Sequence, residues 1–235
     1  MKKVILINPP YSSKVFPIPV ILPGLGYLAE TLRSNGIDVY IIDAQLGWKL
    51  KKIAEKIQNI KPDFIGFSFM SYMSSSHSKL VKDIKDISKN SILVAGGPHV
   101  SSLREQVLID IPALDYGIVL DGEQSLLDLV QGKPKVDIPG LIYRNSNSDM
   151  IVNSACLEND LDKIQWPKYE DFELARYGYG ICIVTSRGCP YNCIYCSCNV
   201  IGKKYNSDIT FTILIFMVVG AMLNIPIGSY CIEII

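Results

Sequence analysis

The sequence predicts an α/β protein built on a doubly wound parallel sheet, and three observations predict it. Apolar runs rich in β-branched residues alternate with segments of helical period from the first residues onward. The runs read as strands covered on both faces, the mark of a parallel sheet between helical layers. Helix-stop chemistry falls where the helical segments end.

The first strand is KVILIN and the first helix LPGLGYLAETLRSNG, in which Asn35 and Gly36 stand where a left-handed C-terminal cap is wanted. DVYIID is the second strand, WKLKKIAEKIQNI the second helix, and Lys61-Pro62-Asp63 stops that helix before the strand FIGFS. A helix from Ser76 to Lys89 leads to SILVAG, and a short helix from Leu103 to Ile109 leads to YGIVL. A helix from Gln124 to Val130 completes a domain over 1–135. Periodicity then weakens, and 136–179 reads as a linker in which LIYR is a candidate extra strand and Asn145 to Asp149 a polar turn. GICIVTS opens a second unit, 180–205, and runs directly into a cysteine-rich loop.

The remainder, 206–235, has a different character. No charged residue lies between Asp208 and Glu233, and the apolar core from Phe211 to Leu223 is shorter than the ~20 residues of a bilayer span. It reads as an aberrant tail, from a shifted frame or an interrupted gene, and a short membrane anchor is the rival reading. No membrane partner is expected.

Composition excludes some classes. A chain of 235 residues, 49% hydrophobic, with net charge +0, carries no basic footprint for nucleic acid. In MKKVILINPPYSS the apolar run ends at Asn8 with no small-residue cleavage site behind it, so no secretory signal is read and a cytoplasmic protein is expected. An odd number of cysteines, seven, then reads as metal or redox ligands and not as a disulfide framework.

Ligands of doubly wound sheets bind outside the carboxyl ends of the strands. Those ends carry Asn8-Pro9-Pro10, then Ser68 to Ser76 with Met70, Ser71 and Ser75, then Gly96-Gly97-Pro98-His99, then Asp121-Gly122-Glu123. Glycine admits close backbone approach, proline stiffens, and serine supplies hydroxyls to a polar cofactor. Any one such loop is as well explained as an ordinary turn; four along one edge favour a cofactor face. Gly24-Leu25-Gly26 lacks the third glycine of a dinucleotide fingerprint, and no GxxxxGK[ST] loop occurs. His77 and His99, the only histidines, read more readily as loop hydrogen-bonders than as metal ligands.

The segment SRGCPYNCIYC places Cys189, Cys193 and Cys196 at CxxxCxxC spacing. Three thiolates on one short loop can hold three irons of a 4Fe-4S cubane and leave the fourth open to a substrate. Cys198 is a candidate fourth thiolate for zinc or for a closed cluster, but it would have to share one compact site with Cys196 two residues away. Cys156, Cys182 and Cys231 read as structural.

This loop resembles that of the radical S-adenosylmethionine enzymes, with Tyr195 as the aromatic residue before the last cysteine. NPP, PGLGYLAETLRSNGIDVYIIDA, AGGPHVSS and DGEQSLLDL resemble the cobalamin-binding domain, of Rossmann or flavodoxin-like type, fused to many of them. The resemblance runs from about Lys2 to Tyr205. It implies a 4Fe-4S cluster on Cys189, Cys193 and Cys196, with Tyr195 near the adenine of S-adenosylmethionine. It also implies cobalamin cradled by Asn8, Pro9, Pro10, Gly24, Gly26, Ser68, Met70, Ser71, Ser75, Gly96, Gly97, Pro98, His99, Gly122 and Glu123. No DxHxxG histidine is present, so the cobalt would lack that lower ligand.

The implied chemistry is reductive cleavage of S-adenosylmethionine to methionine and a 5'-deoxyadenosyl radical, often followed by methyl transfer. An electron donor of flavodoxin or ferredoxin type and an unknown substrate are the implied partners. The family's glycine-glycine-glutamate segment and most of the β/α barrel strands are missing, so a catalytically incomplete protein is expected. A stand-alone cobalamin-binding module and a small zinc or redox protein using Cys198 are the alternatives.

Overall fold

In a computed structural model the residues described are 1–10, 19–71, 74–155, 161–178, 181–188, 191, 193, 194, 196 and 230–234. Five parallel strands come first: β1 (Lys3–Asn8), β2 (Asp38–Asp43), β3 (Phe64–Ser68), β4 (Ile92–Gly96) and β5 (Tyr116–Ile118). Two more, β6 (Leu141–Arg144) and β7 (Met150–Val152), extend the sheet antiparallel. The order is β2-β1-β3-β4-β5-β6-β7. Chain direction across the sheet reverses between β1 and β3, the switch point where such sheets open a crevice at their carboxyl edge.

Strand alternation divides the core in two. Val4 and Leu6 of β1 pack with Leu25, Ala29 and Leu32 of α1 (Pro23–Ser34) and with Leu126 and Leu129 of α6 (Glu123–Gln131). Ile5 and Ile7 pack on the opposite face with Ile53 and Ile57 of α2 (Leu50–Ile60) and with Val81 and Ile84 of α3 (Ser74–Ile87). Successive β1 side chains thus enter different layers, as the pleat requires. The predicted caps hold: Gly36 sits at φ 74° after α1, and Lys61 ends α2 in the left-handed region at φ 53°.

The helix expected at Leu103 to Ile109 is two short ones, α4 (Pro98–Leu103) and α5 (Glu105–Asp110), broken at Arg104, which has φ 51°.

Within 136–179 the described residues pack on the domain. Leu141, Ile142 and Tyr143 are buried in β6, and Arg144 donates hydrogen bonds to the carbonyls of Leu114 (2.8 Å) and Leu108 (2.6 Å). Asn145 closes the β6–β7 turn by accepting from the amides of Asn147 and Asp149. Residues 161–178 then form a strap of three 3-10 turns whose Tyr169, Phe172 and Tyr177 enter the α1 face of the core. Lys168 pairs with Glu30 at 2.9 Å and Asp171 with Arg33, both on α1. Short 3-10 turns carry neither a period of 2 nor one of 3.6, so this packing left no periodic trace in the sequence.

The next strand, β8 (Ile181–Ser186), pairs in parallel with β9 (Tyr230–Ile234). The rest of the tail lies outside the described residues. Among the described residues, no helix is long and apolar enough to cross a membrane.

Candidate cofactor edge and cysteine segment

At the ends of β1 and β2 the chain builds a buried polar knot. Asn8 is 0% exposed, and its Nδ2 donates to Asp43 Oδ1 at 2.8 Å. Asp43 also accepts from the Gln45 amide (3.2 Å), Gln45 Nε2 (2.6 Å) and the Tyr177 hydroxyl (2.7 Å). Burial raises the Asp43 carboxyl above its ordinary value, with these donors opposing, and burial beside Asp43 pushes the Tyr177 phenol well up. Gln45 also brackets the backbone of Val20, accepting from its amide and donating to its carbonyl. The strap is tied in here as well, through Gly178 N to Pro19 O at 3.2 Å. Asn8 Oδ1 is buried with no hydrogen-bond partner.

At the ends of β3 and β4 two loops touch through their backbones. The Phe69 amide donates to Gly96 O (2.9 Å), and the His99 amide donates to Phe69 O (3.1 Å). Gly97 lies between them at φ 94° and ψ 179°, where a Cβ would stand 2.9 Å from Phe69 O. Phe69 is fully buried and stacks on His77 with ring centroids 4.0 Å apart; His77 in turn meets His99 edge-on at 5.7 Å. Burial holds His77 down to about 4, with His99 adding to the effect, and burial also lowers His99, against a contribution from Asp110. The His99 Nδ1 lies 3.2 Å from Ser71 Oγ, whereas His77 Nδ1 is buried without a hydrogen-bond partner. Both shifts favour the neutral ring; His77 lies in α3 and His99 in α4, not in loops.

The turn after β5 receives the cysteine segment. Arg187 Nη1 lies 3.0 Å from Asp121 Oδ1, and its Nη2 lies 2.5 Å from Glu123 Oε1. Burial works against the charge of Arg187, but Glu123 and Asp121 outweigh it and hold the guanidinium more firmly protonated than usual. Tyr27 of α1 donates its hydroxyl to Val184 O in β8 at 3.2 Å, and its ring lies under Arg187 at 5.6 Å.

The structure brings Asn8, Pro9, Ser68, Met70, Ser71, Gly96, Gly97, Pro98, His99, Gly122 and Glu123 to one edge, with Pro10 exposed beside them. Ser75 lies in the first turn of α3. Gly24 is exposed near the start of α1, but Gly26 one half-turn on is covered: its missing Cβ makes room for Pro167 of the strap, which a Cβ would meet at 2.7 Å. Gly26 is thus a packing glycine between α1 and the strap. The Glu123 carboxylate is engaged by Arg187.

Of the cysteines, Cys193 is exposed and Cys196 half-buried, neither in a disulfide, and the Cys196 amide donates to Cys193 O at 3.1 Å in a tight turn. Cys189, Tyr195 and Cys198 lie outside the described residues. Among the described residues no three potential ligands converge on a metal position. Sequence reasoning passed over Asp43, Gln45, Tyr177 and Arg187. Only Arg187, inside the SRGC segment, had a signal to offer.

Residues 19–130 match the B12 binding domain. Over 219 residues the chain is 29% identical to an uncharacterized methyltransferase of Pyrococcus horikoshii, covering 86% of this chain and 47% of that protein. It is 29% identical over 213 residues to the anaerobic magnesium-protoporphyrin IX monomethyl ester cyclase of Rubrivivax gelatinosus, covering 83% of this chain and 38% of the cyclase. Among solved structures it is similar to the cobalamin-dependent S-adenosylmethionine radical enzyme OxsB with aqua-cobalamin and S-adenosylmethionine bound. There the identity is 25%, the TM-score 0.75, and the coverage 83% of this chain and 28% of that one. The radical S-adenosylmethionine methyltransferase TsrM of Kitasatospora setae matches in fold, at 20% identity and TM-score 0.75, over 96% of this chain and 46% of its own. The chain spans less than half the length of each of these relatives; it carries a B12 binding domain over residues 19–130 and is similar over most of its length to cobalamin-dependent radical S-adenosylmethionine enzymes.

Proposed function

We propose that the chain binds cobalamin along the carboxyl edge of β1 to β5 and supplies, through Cys189, Cys193 and Cys196, the ligands of a 4Fe-4S cluster that takes S-adenosylmethionine. The observation that carries this reading is the docking of β8 on α1 and on the β5–α6 turn. It sets the start of the cysteine segment at the edge where ligands of such sheets bind.

The residues present fit both groups. A buried amide oxygen without a hydrogen-bond partner, Asn8 Oδ1, is available to a donor from a ligand. Gly96 and Gly97 lie on the same carboxyl edge at the end of β4, where the backbone carries no side chain. Cys193 and Cys196 are soft donors held on one turn and clear of disulfides, the donor type that iron–sulfur clusters require. Tyr195 would pack against the adenine.

When bound, the cluster delivers one electron that breaks a carbon–sulfur bond of S-adenosylmethionine, and cobalamin is a carrier for a methyl group. The chain's own part is to orient. The Asn8–Asp43–Gln45–Tyr177 knot fixes the β1 and β2 loops, and the strap closes the α1 side against water. As the chain spans only part of its relatives, methyl transfer, the substrate and a flavodoxin- or ferredoxin-like electron donor belong to the whole enzyme.

Anaerobic reconstitution tests the reading. Added hydroxocobalamin should shift its visible spectrum on binding, and the reduced cluster signal should change when S-adenosylmethionine is added. Cys198→Ser should leave the iron content unchanged. Cobalamin binding without a cluster that responds to S-adenosylmethionine would reduce the chain to a cobalamin module, and bound zinc lost in Cys198→Ser would make it a zinc protein.

A further inference from the structure

We infer that Arg187 is a positioning residue: its ion pairs with Asp121 and Glu123 fix the cysteine segment to the carboxyl edge of the B12-binding domain and so set the separation between the two cofactor positions. This rests on the function proposed above and adds to it the element that joins its halves.

Arg187 is two residues from Cys189, and only Gly188, at φ 83°, stands between them. Whatever holds the guanidinium therefore holds the start of the cysteine loop to within about 7 Å of chain. Two carboxylates hold it. Glu123 takes both terminal nitrogens, with Nη1 to Oε2 at 3.2 Å besides the closer Nη2 contact, and Asp121 takes Nη1 at 3.0 Å. Arginine's planar fork suits such pairing, and lysine could not reproduce it.

The pair is sheltered. The Arg187 side chain is 19% exposed, Glu123 12% and Asp121 20%, and the Tyr27 ring flanks the guanidinium at 5.6 Å. Tyr27 also bonds the β8 backbone at Val184, so one helix braces both ends of the four-residue stretch from Val184 to Arg187. Asp121 and Glu123 belong to the same turn as Gly122, and Glu123 starts α6. Both carboxylates face the second unit.

The experiment uses the full chain, reconstituted anaerobically with cluster and cobalamin, as wild type, Arg187→Gln and the exchanged pair Arg187→Glu with Glu123→Arg. Three quantities are read: cobalamin affinity from the visible spectrum, cluster content from iron and absorbance, and the relaxation enhancement of the cob(II)alamin electron spin by the reduced cluster. Arg187→Gln should bind both groups nearly as wild type, within about 3-fold, yet lose most of the spin interaction, and the exchanged pair should restore part of it. A merely structural residue would change occupancy and spin interaction together. Unchanged spin interaction in Arg187→Gln with both groups bound overturns the inference while leaving the proposed function standing.

Should the wild-type chain bind neither group, the proposed function fails, and the latch is judged by hydrogen exchange alone. Amides of 181–188 exchanging at least about 10-fold faster in Arg187→Gln support it, and unchanged rates overturn it.

Discussion

Replacing Gly97 by alanine tests the packing of the cofactor edge, because the cost can be worked from two separate sources. At φ 94° and ψ 179° the backbone occupies a region that is essentially reserved for glycine, and a side chain there costs about 1–3 kcal/mol. The added Cβ would also meet Phe69 O at 2.9 Å, Phe69 N at 3.0 Å and Ser68 Oγ at 3.2 Å. The serine hydroxyl can rotate away. The Phe69 backbone cannot move cheaply, since its amide is bonded to Gly96 O and its carbonyl to the His99 amide. Adding about 1–2 kcal/mol for forcing those bonds apart gives a total near 4 kcal/mol. Domains of this size are stable by only ~5–15 kcal/mol, so the variant should fold with a much lower midpoint. With a urea slope of roughly 2 kcal/mol per molar, the midpoint should fall by about 2 M.

Gly24→Ala is the control, at an exposed glycine of α1 where a new Cβ meets nothing within 4 Å. It should stabilise by about 0.5–1 kcal/mol through helix propensity and a less flexible unfolded chain. The same chemical change thus acts with opposite sign at two glycines of one fold. Equilibrium urea unfolding followed by circular dichroism measures both. A Gly97→Ala midpoint within ~0.5 M of wild type would refute the argument, because neither the strain nor the contact with Phe69 could then be real.

The other predictions follow the same physics. Gly26→Ala gains about 1 kcal/mol of helix propensity but displaces Pro167, so limited proteolysis should cut within 161–178 roughly 10-fold faster while the sheet's unfolding midpoint barely moves. Tyr177→Phe removes a 2.7 Å hydrogen bond to a buried carboxylate and should cost about 1–2 kcal/mol in urea unfolding; no loss would mean that water replaces the phenol. His77, held down to about 4 when folded and near its ordinary 6.5 when unfolded, takes up its proton first in the unfolded chain. Its contribution to stability is therefore complete above pH 6.5 and declines as pH falls toward 4. The ring is buried in α3 against Phe69, and the loss is about 1–2 kcal/mol. His77→Phe should flatten that part of the stability profile, and an unaltered slope would assign the acid sensitivity elsewhere.

What was legible in the sequence is what repeats. The strands of the parallel sheet carry Val, Ile and Leu on both faces, so β1 to β5 and their order of helices could be read from KVILIN, DVYIID, FIGFS, SILVAG and YGIVL. Loop residues at the strand ends were legible for a second reason: the fold rule fixes which edge they share, so Asn8, Ser68, Gly97, His99 and Glu123 were known to be neighbours before any contact was known. The strap was not legible. Tyr169, Phe172 and Tyr177 follow no period, Pro167 fills the space at Gly26, and Lys168 and Asp171 pair with Glu30 and Arg33 of α1 more than a hundred positions away. Gly26 shows what the same blindness hides. A glycine in a helix near a cofactor edge invites a ligand reading, and only the strap reveals that a proline occupies the space.

The edge's polar residues differ in whether their groups are already committed. Asp43 accepts four hydrogen bonds, Glu123 is held by Arg187, and His99 is paired with Ser71. Such groups organise the loops, and a cofactor reaching them would have to break contacts worth about 1–3 kcal/mol each when charged and buried. Asn8 is the contrasting case. Its amide nitrogen is spent on Asp43, which fixes the flip of the side chain and leaves the oxygen buried and unmatched at the β1 end of the switch point. An unmatched buried acceptor costs about 1–3 kcal/mol, a cost that a hydrogen-bond donor from a bound ligand would remove. Asn8 Oδ1, like His77 Nδ1 buried without a hydrogen-bond partner, is therefore uncommitted where the carboxylates of this edge are already engaged, and a donor from a ligand would match it at no cost in existing contacts.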